Sequence, residues 1–455
     1  MSSIIHWCRS NPVRAASLFG VYQQFCGAVA GIVVIPVILH TLGSEDAGLW
    51  FSIQGVILIF SLSDFGFSAV ISRQVAYSLN FVEGQSTSFD IMATRPGWAG
   101  VSDIYRASRT IFTRVIVASF ALFLITYLLV IPHTQLAAHL NTANPAIWYV
   151  TMIGLALLVQ VGLSRAFLDG IGLMYIGRFV GGTYQMVYGI ATIVVLLCGG
   201  GVLAVACTFL VCASAHLLVM YLFFRKAIGH RLVGDLPVDR RIVRKLCAVA
   251  VPYGVMTTGG YLVSAVQVPL LGVIMGPLFV TPIYTALKIS QILNALVLQA
   301  MAAHMPAFAS DIARGNWSAA RTRMKITTRL GVVLQVLATI AILLVSKPVV
   351  DRWLGPGHYI SGATLLVFGI NYGLTGVAGA LAQFVFASGR NPFMISTLMH
   401  GALTVVGMIL LCPRIGMLGV PLAGLIGVAV TNLWLNPLEA WRTWNDLRRG
   451  AGAAC

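Results

Sequence analysis

Long apolar runs, each closed by a short polar break, recur along the chain from residue 16 to residue 437. Most run for about 20 residues or more, the length that carries an α-helix across a hydrocarbon layer about 30 Å thick. Polar and apolar residues do not alternate as they must in a membrane strand, which excludes a barrel. The pattern predicts twelve helices, over residues 16–40, 48–71, 111–132, 146–168, 176–198, 201–224, 247–275, 279–303, 329–350, 361–387, 392–412 and 416–437. The expected fold class is an all-α integral membrane protein, and no remaining stretch is long enough to fold as a soluble domain.

Composition strengthens that reading. Of the 455 residues 58% are hydrophobic and 9% charged, with a mean hydropathy of +0.89, against about 25% charged in soluble proteins. The net charge of +16 would suggest nucleic acid in a soluble chain. Its placement points to topology instead. With a cytoplasmic N-terminus, 25 of the 29 Lys and Arg fall on the inner side, three (Lys347, Arg352, Arg414) on the outer side, and Lys288 within a helix. Such an asymmetry puts both termini inside and requires an even number of spans. The most basic connection, RKAIGHRLVGDLPVDRRIVRKL, lies near the middle. It divides the chain into an N-terminal bundle (1–225), a basic cytoplasmic linker (226–246) and a C-terminal bundle (247–455).

The two halves look repeated. VLLCGGGVLAVACTFLV (194–211) aligns with ILLCPRIGMLGVPLAGLIG (409–427), and FLDGIG (167–172) with FVFASG (384–389). HTLGSEDAGLWFSIQ, at the first helical turn, aligns with VIMGPLFVTPIYTALK, which sets Gln54 against Lys288. With six helices each, the repeats share one orientation, as in transporters whose pseudo-axis follows the membrane normal. The inner loop 74–109 is about twice as long as its counterpart 308–324. Its surplus, near GQSTSFDIMATRPGWAG, reads as a surface insertion.

Lys288 is the basic residue that topology leaves unexplained. At 100° per residue, Thr281, Thr285, Lys288, Gln291 and Gln299 share about a third of their helix circumference, and the rest of that helix is apolar. A lone ammonium at mid-membrane depth costs about 2.5–3.5 kcal/mol on insertion scales. It calls for an anion to bind or a buried partner; a snorkelling lysine or a packed polar patch is the plainer alternative.

At the first hairpin, VIPVILHTLGSEDAGLWFSIQGVILIFSLSDFGFSAVISRQVA (34–76) resembles the start of the polysaccharide biosynthesis, lipid-linked oligosaccharide flippases. These belong to the multidrug/oligosaccharidyl-lipid/polysaccharide (MOP) transporter superfamily. The matching features are Leu42-Gly43, Glu45-Asp46, Gly48-Leu49-Trp50 and Asp64-Phe65-Gly66. LVFGINYGLTGVAGALAQFVFASGRNP and PRIGMLGVPLAGLIG look like the same family's tenth to twelfth helices. The resemblance implies two six-helix bundles around a central cavity, a MATE-like layout. It also implies movement of a polyprenyl-diphosphate-linked oligosaccharide to the outer leaflet of a bacterial cytoplasmic membrane.

On that reading Lys288, Gln291, Gln54, Arg14 and Arg73 are the candidate substrate contacts, with the arginines receiving pyrophosphate. Asp64 is a candidate coupling carboxylate, its alternative a structural anchor. Arg109, Arg114 and Arg165 read as topological or lipid-binding. Gln23, Gln24, Gln160, Gln185, Gln267, Asn371 and Gln383 read as interhelical hydrogen-bonders, and Tyr22, Tyr184, Tyr188, Tyr261 and Tyr284 as packing aromatics able to stack on sugars. Neither the eight cysteines nor His40, His133, His139 and His358 form a metal pattern. No phosphate-binding loop or nucleophile elbow occurs, so no cofactor is expected and the chain does not read as an enzyme. Expected partners are the lipid-linked glycan, membrane lipids and other polysaccharide assembly proteins, with no nucleic acid. The competing functions are a multidrug or organic-cation antiporter of the same superfamily and, from another class, a glycan polymerase or acyltransferase. The first calls for buried carboxylates and the second for a large outer loop or several buried acid–base groups.

Overall fold

In this computed structural model the described residues are 12–61, 66–79, 97–134, 140, 144–232, 239–302, 308, 311, 316–355, 359–387 and 392–453. Among them the chain is helical with no strand. The helices are α1 (Pro12–Ser61), α2 (Phe67–Leu79), α3 (Trp98–Ile125), α4 (Ala146–Gly170), α5 (Met174–Leu197), α6 (Val202–Ala227) and α7 (Arg240–Ser264). They continue as α8 (Gln267–Met275), α9 (Val280–Ala302), α10 (Trp317–Leu354), α11 (Gly362–Ala387), α12 (Met394–Ile415), α13 (Gly419–Val430) and α14 (Asn432–Ala453).

Nine segments of the described residues are long and apolar enough to cross a membrane. Two of them, Ala15–Val56 and Met394–Asn445, are interrupted by glycines in the left-handed region, Gly43 at φ 79° and Gly416 at φ 64°. Side chains well inside helices face outward as bare hydrocarbon: Val211 is 65% and Leu344 70% exposed. A water-facing surface would not carry such a girdle; a lipid-facing one must. The chain is a multi-pass membrane protein.

Two compact units follow in sequence, Met1–Thr257 and Thr258–Cys455. In the first, α1 packs along α5 and α4 along α6. Its core joins Ile71, Phe112, Phe167, Met220 and Phe224 to Leu246 of α7, so the opening of α7 belongs to this unit. In the second, α12 packs on α13 and α10 on α11. The end of α7 lies so close to α12 that a Cβ on Gly259 would sit 2.6 Å from the Leu398 nitrogen. Small residues permit such approach, and packing rather than hydrophobic burial drives helix association in lipid.

Each unit opens with the same backbone turn. Gly43 has φ 79°, ψ 172°, and Gly276 has φ 95°, ψ 165°, a conformation that a Cβ penalises. These are the glycines that the expected repeat sets against each other. Helix ends differ from expectation where helices leave the apolar layer. α3 starts at Trp98 rather than 111 and α10 at Trp317 rather than 329, because hydropathy marks only the part of a helix inside hydrocarbon. The expected helix 247–275 is two, α7 and α8, separated at Ala265 and Val266. Of the long inner loop, residues 80–96 lie outside the described residues.

Candidate functional site

The polar groups that sequence singled out on α9 separate into two faces. Gly276 ends α8, a 3₁₀ turn spans Pro277–Phe279, and α9 starts at Val280; Pro282 falls in its first turn, where a missing N–H costs nothing. Thr281 and Thr285 are fully buried, and the Thr285 hydroxyl donates to the Thr281 carbonyl at 3.0 Å. That face packs. Lys288 is half-buried, about 12 Å into the helix at 1.5 Å per residue. Its Nζ lies 5.3 Å from the centre of the Tyr284 ring, and among the described residues it pairs with no carboxylate. A cation over a tyrosine face gains about 0.5–2 kcal/mol, a part of what its desolvation costs.

Gln291 projects about 60° away from Lys288 around the helix and opens a different environment. Its Nε2 donates to the Ser264 carbonyl at 3.3 Å, tying α9 to the end of α7. Beside it lies a cavity of about 180 Å³ between α7, α9 and α11, lined by Gln291, Asn294, Leu298, Asn371, Tyr372 and Thr375, among others. Asn371 and Tyr372 are 4% and 8% exposed. The Oδ1 atoms of Asn294 and Asn371 and the Tyr372 hydroxyl are buried with no hydrogen-bond partner. Groups left so cost about 1–3 kcal/mol each unless something polar enters, so this pocket is built to take hydroxyls, amides or water. Its lining holds no charge. Asn371 fits over Gly424, where a Cβ would meet its Nδ2 at 2.5 Å, and Gln335 donates to the Tyr372 carbonyl at 3.4 Å.

The remaining candidates stand in the first unit. Gln54, on α1, is half-buried and engaged in a polar interaction. Arg73, on α2, is half-buried, with Nε buried and without a hydrogen-bond partner. Asp64 lies outside the described residues, as do the side chains of Arg14, Gln299 and Gln383. Lys288 and Gln291 share one helix; Gln54 and Arg73 stand on separate ones.

The first unit also gathers ionisable groups that sequence reasoning takes singly or passes over. Arg165 Nε lies 3.8 Å from Asp169 Oδ2, and Asp169 Oδ1 is buried without a partner. His216 stacks on Tyr184 with centroids 4.5 Å apart, its Nδ1 buried and unpartnered. Arg178 donates to the Ala16 carbonyl at 2.7 Å. Nearby, Phe19, Tyr22 and Phe179 pack ring on ring. No group of three His, Cys, Asp or Glu able to hold a metal occurs among the described residues.

Asn294 and His216 had a usable signal. Asn294 stands three residues beyond Gln291 and continues its face. His216, like His400, is a polar residue within an apolar run. Tyr372 and Thr375 had none, since only tertiary packing turns them inward.

No protein-family profile matches the chain, and no curated protein matches it significantly. Solved structures do match over nearly its whole length. It is similar to a lipid II flippase, MurJ, in an inward closed conformation, with TM-score 0.69 and 11% identity over 95% of this chain and 90% of that one. It is similar to an inward-facing MATE-family multidrug resistance transporter of the MOP superfamily (0.64, 14%, 96% and 95%). It is also similar to the MATE multidrug transporter DinF-BH (0.65, 13%, 95% of each). At these identities the likeness is one of fold: the chain has the all-helical fold of MOP-type membrane transporters.

Proposed function

We propose that the chain is a flippase that carries a polyprenyl-diphosphate-linked oligosaccharide across a bacterial cytoplasmic membrane by alternating access, both termini being cytoplasmic. The observation that carries the reading is Lys288. It is a half-buried cation inside an apolar helix, with a tyrosine face for company and no carboxylate among the described residues. It suits an anionic head group, for which a point cation suffices. One turn on, Gln291 and the neutral pocket around Asn371 offer the hydrogen bonds that sugar hydroxyls use. Gln54, Arg73 and Arg14 would add contacts from the first unit, and Asp64 would serve as coupling group. The likeness in fold to a lipid II flippase supports the same direction.

Organic-cation antiport is the competing reading. The ring cluster of Phe19, Tyr22 and Phe179 favours it, as does the likeness to MATE transporters. Against it, the half-buried carboxylate Asp169 lies beside Arg165 and is not free to meet an organic cation.

Reconstituted vesicles separate the two. Protein-dependent flipping of a fluorescent polyprenyl-diphosphate sugar, lost in Lys288→Ala and partly kept in Lys288→Arg, is the expected result. Normal flipping by Lys288→Ala removes Lys288 from the mechanism. Uptake of a cationic dye with no flipping rejects the flippase reading.

A further inference from the structure

The charged end of α10 carries a groove that the transport reading does not use. α10 spans 38 residues, roughly 57 Å at 1.5 Å per residue and nearly twice the thickness of bilayer hydrocarbon. Its outward apolar side chains begin at Ile326 and Leu330 and continue through Val333, Leu337 and Leu344. Lys325 and Arg329, one turn apart and both exposed, therefore stand where the lipid-facing surface meets the charged end.

Between these cations and α14 lies a groove of about 350 Å³ whose other walls include Met324, Leu381, Ala440, Trp441 and Trp444. Trp441 is 62% exposed, an indole placed where such rings favour the membrane–water boundary. The nearby charges are otherwise spoken for. Arg323 pairs with Asp311 at 2.8 Å, Arg442 with Glu439 at 2.8 Å, and Arg321 lies 6.0 Å over the Trp444 ring. Lys325 and Arg329 pair with no carboxylate among the described residues.

Two unpaired cations at the lip of an apolar, tryptophan-walled slot complement an amphiphile with a negative head and a hydrocarbon tail. We propose that this groove binds one anionic glycerophospholipid, its phosphate on Lys325 and Arg329 and an acyl chain along Leu381, Ala440 and the two indoles. A zwitterionic lipid would fill the slot, but its own ammonium offsets the phosphate and weakens the attraction to both cations; a soluble anion would pair with the cations and leave the slot empty.

Native mass spectrometry of the full-length protein, titrated with phosphatidylglycerol or with phosphatidylcholine of the same acyl chains, tests it. The wild type should retain one phosphatidylglycerol in preference to phosphatidylcholine. K325Q/R329Q should weaken that retention roughly tenfold, in line with the attraction of basic residues for anionic lipid. K325R/R329K should preserve it, and Trp441→Ala should weaken both lipids. Arg414→Gln, an exposed cation on α12, should change nothing, and gel filtration of each variant confirms folding. Equal retention of the two lipids, undiminished retention by K325Q/R329Q, an equal loss in Arg414→Gln, or a photocrosslinker at position 441 that captures protein instead of lipid would each overturn the proposal.

Discussion

Both units bury polar atoms that lack a hydrogen-bond partner, but they bury different kinds. In the first unit these include ionisable groups, on Arg73, Asp169 and His216, beside the indoles of Trp50 and Trp148. In the second, among the described residues, they are all neutral: amides on Gln267, Asn294, Gln335, Asn371, Asn432 and Asn436, and hydroxyls on Ser290 and Tyr372. Charge held out of water is expensive unless paired, whereas an amide or hydroxyl needs only one good acceptor or donor. The first interior is thus equipped to hold or exchange charge. On the proposed function the second would grip a polar but uncharged surface, with Lys288 as its exception. The two interiors differ in chemistry, while Gly43 and Gly276 share one backbone conformation.

That contrast is most exposed at Lys288. Lys288→Ala should cut transport in vesicles at least tenfold while protein yield and melting temperature stay near wild type, since the side chain is tied only to a tyrosine face. Arg73→Gln should have a smaller effect, because the first unit holds other guanidinium groups. If the two variants lose activity equally, the second unit does not depend on one cation and the division between the halves fails.

The neutral pocket comes next. Asn371→Leu puts hydrocarbon against the lining formed with Gln291, Asn294 and Thr375 and removes the amide that rests on Gly424. Transport should fall several-fold through a raised KM, the pocket's hydrogen bonds being lost in binding before they are lost in turnover. An unchanged KM would mean that the pocket holds structural water and does not touch the substrate.

The span pattern is written in hydropathy, which acts over whole segments, so the all-helical membrane fold is legible in the sequence. Single side chains were harder. Lys288 announced itself by its solvation cost. The pocket beside it did not, because Tyr372 and Thr375 are unremarkable in composition and meet Asn294 only when α7, α9 and α11 pack. His400 shows the same limit. Asn432 Nδ2 lies 3.0 Å from its Nδ1, and its Nε2 lies 3.3 Å from the Gly424 carbonyl. The ring joins three helices by a neutral bridge that no spacing rule predicts. The Thr281–Thr285 face shows the converse limit, since helical periodicity places residues on one side and does not say what covers them.

In the first unit, Asp169 offers a carboxylate beside the Arg165 guanidinium that is only partly shielded from water. Asp169→Asn removes the counter-charge of Arg165 at 3.8 Å. The cost should be about 1–2 kcal/mol, less than for a fully buried pair and more than for a surface one, read as a lowered melting temperature in detergent. A neutral outcome would mean that the first unit's ionisable groups are solvated, and the contrast between the two interiors would then fail.

The smallest effect belongs to Tyr372. Its carbonyl accepts from Gln335 at 3.4 Å, its ring stacks on Phe368 at 4.9 Å, and its hydroxyl has no partner. Tyr372→Phe keeps the ring and the backbone contact and deletes only the unpartnered oxygen. If the pocket is dry when substrate is absent, removing a buried, unsatisfied hydroxyl relieves a penalty and stability should rise by up to about 1 kcal/mol. If water fills the pocket, the same change breaks a bridged hydrogen bond and stability should fall by a similar amount. Either sign is readable by thermal melting, and each has a consequence for transport. A dry pocket leaves the hydroxyl free for substrate, so a stabilised Tyr372→Phe should bind the lipid-linked sugar more weakly. A wet one makes substrate displace water, so little net affinity is lost. Stabilisation together with unaltered substrate binding would separate the pocket from recognition and leave the neutral interior of the second unit a feature of packing alone.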